Sequence, residues 1–348
     1  MNVSETNLGD LKTELDIELA LSDPSPGVVE TMSRVEGDIL VLGVGGKMGP
    51  TLAMMAQKAG AAAGVGKRII GVSRFSDPAV ASRLHSAGIE TIQGDLLDHD
   101  FLRSLPDVPN IIYMAGMKFG STGNEGLTWA MNCYLPGMVC ERFPKSRIVA
   151  FSTGNVYCMR PISAGGSRET DRPDPVGDYA MSCLGRERVF QHFSESLSVS
   201  VLLFRLNYAV EFRYGVLVDL AAAVWNREPG DLTTGYFNVI WQPDANAMAL
   251  QSLAHAASPA EILNVTGPDI TRVREVCARF GEIMNREVRL TGTESDHAFL
   301  NDSGKAFKLF GEPSTKLEDM IDLVAQWVMR DGISHGKPTH FETRDGNF

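Results

Sequence analysis

Short apolar runs punctuate the chain from Asp38 onward and alternate with longer stretches of helical composition. The runs are Ile39–Leu42, Arg68–Val72, Glu90–Ile92, Asn110–Met114, Arg147–Phe151 and Val199–Phe204. Brief runs of this kind suit strands covered on both faces. Segments such as Thr51–Ala59 leave room for crossover helices, so the pattern predicts an α/β fold built on a doubly wound parallel sheet. Ahead of the runs, Leu8, Leu11, Leu15 and Leu19 recur at helical spacing, and Asp23-Pro24-Ser25-Pro26-Gly27 breaks that helix. Past Arg205 the regularity weakens. Phe237–Ile240 and Ile262–Val265 read as further strands, Asp244 as the cap of a helix over Ala245–Ala257, and Leu317, Met320, Ile321, Val324 and Val328 as one helix face. The polar stretch Gly336–Phe348 is expected to loop over the surface.

Composition narrows the function classes. The 348 residues carry a formal net charge of −11, which argues against a nucleic-acid or anionic-membrane partner. No apolar run is long enough to span a bilayer, and Met1–Asp10 lacks a signal pattern. The 5 cysteines, Cys133, Cys140, Cys158, Cys183 and Cys277, form no CxxC pair and cannot all be paired, so a reducing cytoplasm is expected. The histidines are scattered without ligand spacing, so no metal site is expected, and no GxSxG elbow occurs.

The sharpest local signal is Ile39-Leu40-Val41-Leu42-Gly43-Val44-Gly45-Gly46-Lys47-Met48-Gly49-Pro50, a strand running through glycines into a helix. Gly43 permits the tight turn, Gly46 lets backbone approach a pyrophosphate, and Gly49 lets helix and sheet pack closely. The helix N-terminus offers N–H groups to the anion. The pattern therefore predicts a dinucleotide site formed by Gly43, Gly45, Gly46, Lys47, Met48 and Gly49. No Asp or Glu occurs between Gly43 and Asp77, where NAD specificity ordinarily calls for one. The second run ends at Ser73-Arg74 instead, and a guanidinium there suits a 2′-phosphate, with Lys47 as a second positive charge. NADP is the favoured cofactor and NAD the alternative. Asp95, beside Leu96 after the third run, stands ready to accept from the adenine amino group or to cap the next helix.

With these residues in view, the sequence resembles the extended short-chain dehydrogenase/reductase family of NAD(P)-dependent sugar epimerases and dehydratases. The likeness runs from about Asp38 to Val265. It rests on Gly43-x-x-Gly46-x-x-Gly49, Gly94-Asp95-Leu96, Ala115-Gly116, Phe151-Ser152-Thr153-Gly154-Asn155-Val156-Tyr157 and Tyr179-Ala180-Met181-Ser182. The resemblance implies a Rossmann domain with a Ser/Thr–Tyr–Lys catalytic set. Thr153 would hold the substrate oxygen and Tyr179 would carry the proton. The family's Lys, one helical turn past the tyrosine, is here Cys183, and a thiol cannot supply the missing positive charge. Lys118, after the fourth run, is the candidate replacement by position; a solvated loop lysine is the competing reading. Asn132 resembles the family's supporting helix asparagine. The loop Phe119–Gly126 is a candidate lid or an ordinary surface loop.

The resemblance also shapes the expected organisation. Residues 1–36 form an N-terminal extension, and residues 37–208 a dinucleotide-binding Rossmann domain to which 238–266 return. Residues 209–237 and 267–348 form a smaller C-terminal substrate-binding subdomain. Arg213 and Tyr214 fall where the family builds its sugar pocket, with an ion pair as the competing role for Arg213. Trp241 is either a sugar-stacking or a core residue. The expected protein is a cytoplasmic homodimer acting by hydride transfer on a small sugar, sugar acid or nucleotide sugar. The alternative is a non-catalytic NADP-binding sensor on the same fold, with Cys183 its strongest support.

Overall fold

The computed structural model describes residues 8–118, 120 and 123–344. Phe119, Ser121 and Thr122 of the loop considered as a lid lie outside the described residues.

Each apolar run becomes a strand of one parallel sheet. The strands are Ile39–Leu42 (β1), Ile69–Ser73 (β2), Glu90–Gln93 (β3), Asn110–Tyr113 (β4), Arg147–Thr153 (β5), Ser200–Leu206 (β6) and Glu261–Val265 (β7). Their order across the 7-stranded sheet is β7-β6-β5-β4-β1-β2-β3. The chain reverses its winding between β1 and β4, so the crevice at the carboxyl ends of those strands is where such a sheet takes a ligand.

Alternation within β1 shows how the sheet is covered. Ile39 and Val41 face one apolar cluster while Leu40 and Leu42 face the other, all at 0% exposure. Helices in chain order are Glu14–Ala20 (α1), Pro26–Arg34 (α2), Gly49–Ala62 (α3), Pro78–Ser86 (α4), His99–Ser104 (α5), Glu125–Trp129 (α6), Leu135–Arg142 (α7) and Gly177–Leu197 (α8). Val216–Asn226 (α9), Gln242–Gln251 (α10), Val273–Met284 (α11), Gly304–Phe310 (α12) and Leu317–Met329 (α13) follow. Helices α2, α3 and α10 pack on the face of Ile39 and Val41, and α7 and α8 on the other. A separate core gathers α9, α11 and α13 around Phe212, Phe237, Trp241 and Trp327.

Several local expectations change. The N-terminal residues divide between both cores rather than standing apart: Ile17 and Leu21 join the second core, and Val28 and Met32 the sheet. The inward face of α1 is set by Ile17, while Leu19 is 37% exposed, because a capping box between Thr13 and Asp16 starts the helix later than the leucine spacing suggests. The span Phe237–Ile240 yields only two-residue ladders, Tyr236–Phe237 and Ile240–Trp241. Asp244 caps no helix. It lies in the first turn of α10 and accepts from the Ser314 amide (2.9 Å), the Ser314 hydroxyl (2.7 Å) and the Thr315 amide (3.2 Å). The stretch after α13 does not simply trail over the surface. Thr339 is buried and bonds Asp219 of α9 through its amide (2.8 Å) and hydroxyl (2.6 Å), and Phe341 packs against Phe237.

Candidate active site

The glycine turn builds the floor of the crevice. Gly43 has φ +89°, and a Cβ there would sit 2.6 Å from the Ala115 amide nitrogen, so the turn and the end of β4 can meet only over a glycine. A Cβ on Gly49 would lie 2.2 Å from the Val44 carbonyl oxygen, which fixes helix against strand. Gly46 differs: the nearest atom to its Cβ position is 3.5 Å away, so its open side faces the crevice. These are the properties that a pyrophosphate cradle at a helix N-terminus requires.

The crevice has two halves that share Gly43, Gly45, Gly46, Met114 and Gly116. One, of about 370 Å³, is walled by Ser73, Arg74, Asp77, Asp95, Leu96 and Ala115. Arg74 is exposed there at the end of β2, and Asp95 already accepts from the Leu97 amide at 3.0 Å. The other half, about 460 Å³, holds Lys47, Met48, Lys118, Thr153, Tyr179 and Tyr214. Lys47 therefore belongs to the half opposite Arg74. Its Nζ lies 3.1 Å from the centroid of the Tyr214 ring, so its expected pairing with Arg74 around one phosphate is not formed.

Tyr179 sits in the first turn of α8, aimed at the end of β5. Its hydroxyl is hydrogen-bonded with the Thr153 hydroxyl and the Cys183 thiol. Burial pushes the phenol well above the ordinary tyrosine range. The Cys183 thiol adds to the rise, while the Arg186 guanidinium and the Thr153 hydrogen bond oppose it. Burial likewise raises the Cys183 thiol, which favours its neutral form. Lys118 stands 5.8 Å from the centroid of the Tyr179 ring, and burial lowers its ammonium to about 8.

Arg186 is the residue that sequence reasoning overlooked. Tyr179, Cys183 and Arg186 lie at i, i+4 and i+7 along α8, one helix face, and that spacing was the available signal. The guanidinium is buried and donates to the Phe151 carbonyl (2.7 Å) and to Asn132 Oδ1. It approaches the backbone so closely that a Cβ on Gly116 would lie 2.3 Å from Nη2. Asn132, buried in a π-helical turn, also accepts from the Met117 amide (3.0 Å) and donates to the Met117 carbonyl (3.1 Å) and Ser182 Oγ (2.9 Å). It ties the segment after β4 to α8 and does not wall the crevice. Behind β5, Ser152 donates to Glu187 Oε1 (2.6 Å), and Glu187 binds Arg205 through both carboxylate oxygens (2.8 and 2.6 Å).

Two substrate-side expectations separate. Tyr214 walls the crevice, but Arg213 does not. The Arg213 side chain is 1% exposed and pairs with Glu211 (2.9 Å) and Glu18 (3.7 Å), so it is a core ion pair linking α1 to the segment before α9. Trp241 is a core residue, 1% exposed and packed edge-on against Phe212 at 5.2 Å. Lys337 and Thr339, far away in sequence, contribute to the crevice instead.

Among the described residues no group of His, Cys, Asp and Glu is arranged for a metal ion, the 5 cysteines are free, and no helix is long and apolar enough to cross a membrane.

No protein-family model and no curated protein sequence matches the chain. Solved structures do match its fold. The UDP-glucuronic acid 4-epimerase from Bacillus cereus in complex with NAD superposes with a TM-score of 0.70 at 16% identity, covering 84% of this chain and 96% of that one. The UDP-glucose 4-epimerase of Thermotoga maritima gives 0.69 at 16% identity, over 84% and 99%. The UDP-Glc/GlcNAc 4-epimerase of Campylobacter jejuni gives 0.69 at 18% identity, over 85% and 100%. The α/β architecture with its Rossmann-type parallel sheet is thus shared across nearly the whole of these neighbours.

Proposed function

We propose that the protein is an NAD(P)-dependent oxidoreductase of the sugar epimerase and dehydratase type, acting on a sugar, sugar acid or nucleotide sugar. The observation that carries this reading is one continuous crevice. It joins a side-chain-free glycine cradle to a Thr153–Tyr179 pair at the carboxyl ends of the central strands. The NAD and UDP-sugars of the structural neighbours fit the same reading. The residues present suit a dinucleotide: Gly43–Gly49 for the pyrophosphate, Ser73, Arg74, Asp95, Leu96 and Ala115 for the adenosine end, and Gly116 and Tyr179 toward the nicotinamide. Arg74 and the missing carboxylate favour NADP, whereas the first of these neighbours was solved with NAD.

When bound, the nicotinamide supplies the hydride acceptor and donor. Thr153 donates to and orients the substrate oxygen. Tyr179 would take the proton of the substrate hydroxyl and return it to the substrate oxygen. A phenol with a raised pKa is a weak base at neutrality, so the charge that favours its ionised form matters. Arg186 supplies it from two helical turns along α8. Asn132 holds Arg186 in place.

A second reading, a dinucleotide-binding sensor without turnover, rests on the burial of the Tyr179 phenol and on Cys183 beside it, both of which favour the protonated phenol. A single-turnover experiment separates the two. Protein loaded with oxidised cofactor is mixed with a panel of UDP-sugars and sugars while nicotinamide absorbance is followed. Reduced cofactor in the wild type and none in Tyr179→Phe is the enzyme result; bound cofactor that no sugar changes is the sensor result.

A further inference from the structure

Seven described residues other than glycine have a positive φ, and their places are not random. Four stand at helix ends, where a left-handed residue is ordinary. Ser198, Arg227 and Asn285 cap α8, α9 and α11, and Asp331 comes one residue after the cap of α13. The other three stand around the crevice. Phe75 walls its adenosine half just past β2, and Tyr208 walls its substrate half just past β6. His340 follows Thr339 on the C-terminal strap, the stretch after α13 that crosses to Asp219.

Tyr208 faces the proposed substrate side. At φ +46° a side chain crowds the neighbouring carbonyl, and a bulky residue keeps that conformation only where its surroundings fix it. Here they fix it from both ends. The Asn207 amide donates to the Val265 carbonyl (2.9 Å), and Asn207 Nδ2 to Asn238 Oδ1 (2.9 Å). The Tyr208 carbonyl accepts from the Ile240 amide (3.2 Å), and Ala209 then pairs with Ile240 in a short parallel ladder. The turn itself has no use for a side chain, because glycine would make it without strain. The ring is what the strained position supplies. It backs onto the second core, is only partly buried, and walls the crevice beside Tyr214 and Thr339. Burial pushes its phenol well above the ordinary tyrosine range, so the ring is uncharged at neutral pH. A rigid aromatic face with a polar edge suits the CH face of a sugar ring.

We propose that Tyr208 is a specificity-determining residue that touches the substrate. Its ring is the face on which the substrate's sugar ring packs, and the pinned turn holds that face in a set place relative to Thr153 and Tyr179. This deepens the oxidoreductase reading and rests on it for the presence of a sugar.

The test is calorimetric binding to the full chain saturated with NAD or NADP, with UDP-glucose, UDP-glucuronate, glucose and glucuronate as probes. Tyr208→Asn removes the ring and tolerates the left-handed backbone. Tyr208→Gly is a second ring-free variant that accepts the same φ, should the first fold poorly. Tyr208→Phe keeps the ring. The sugar that the wild type binds best should bind the ring-free variants roughly tenfold more weakly or worse, and Tyr208→Phe within about threefold of the wild type. Dinucleotide affinity and circular dichroism should be unchanged in all three. Three results would each overturn the inference while leaving the oxidoreductase reading in place. They are wild-type sugar affinity in a folded ring-free variant, a loss in Tyr208→Phe as large as in the ring-free variants, and dinucleotide and sugar affinities that fall together. A wild type that binds a dinucleotide but none of the four sugars would overturn the sugar reading, and this assignment with it.

Discussion

Placing a positive charge one turn past Tyr179 is the perturbation from which most can be learned, because the structure gives that position a buried thiol that raises the phenol. In Cys183→Lys the ammonium stands on the same helix face, about 5 Å away. At that separation, with an effective dielectric of about 20, the attraction for a phenolate is about 3 kcal/mol. That corresponds to a fall of about two pKa units. The sign follows from the group: a cation favours the charged phenolate, so the phenol ionises at lower pH. Removal of the thiol in Cys183→Ala should move it the same way by less, since only the thiol's contribution disappears and burial remains. The assay needs no substrate. Tyrosinate absorbance is followed against pH, and the signal of Tyr179→Phe in each background is subtracted to isolate Tyr179. Wild-type Tyr179 should titrate above ordinary tyrosine, Cys183→Ala somewhat lower and Cys183→Lys lowest. Cys183→Lys adds a long side chain to a crowded site, so the alanine variant keeps the test interpretable if the lysine variant folds poorly. Titration of wild-type Tyr179 at the ordinary value, or no shift in either variant, would refute the electrostatic picture of the site.

Other expectations concern residues whose roles changed between sequence and structure. Arg213→Ala should cost about 3–5 kcal/mol in urea unfolding, because it strands buried Glu211, and should leave dinucleotide affinity untouched; weakened binding at unchanged stability would return Arg213 to the site. Gly49→Ala should destabilise by about 1–3 kcal/mol, since its Cβ would overlap the Val44 carbonyl, and a neutral result would show that α3 shifts freely. Arg74→Ala should narrow a preference for NADP over NAD, read by calorimetry of both cofactors; a wild type that prefers NAD would overturn the reading of Arg74.

The sheet was legible because its central strands are short apolar runs, and burial on both faces leaves that signature without help from distant residues, whereas the edge strand Glu90–Gln93 is half-exposed and carries only Ile92 as an apolar residue. The glycine turn was legible for a similar reason: its geometry is set within a dozen residues. Elements fixed by long-range contact were not. The inward face of α1 depends on Ile17 meeting a core assembled from residues beyond 210, and Asp244 was read as a helix cap because Ser314 and Thr315 are invisible from its neighbourhood. Lys337 and Thr339 gave no local signal, since contacts with distant residues bring the strap to the crevice: Thr339 with Asp219, the His335 amide with the Arg213 carbonyl, and Phe341 with Phe237. Arg186 was within reach, at helical spacing from Tyr179. Its charge stands at the i+7 position of the same helix face rather than at the i+4 position where the family's lysine falls.

The crevice as a dinucleotide site is tested most directly at Gly46, where an added Cβ would make no clash with protein, its nearest atom being the Gly43 carbonyl oxygen at 3.5 Å. NAD and NADP are titrated by calorimetry into the wild type and into Gly46→Val, with circular dichroism recorded on both. Saturable binding to the wild type that is lost in Gly46→Val, while its spectrum stays native, is the expected outcome. Binding of undiminished affinity to folded Gly46→Val would place the phosphates elsewhere and contradict the assignment of the site.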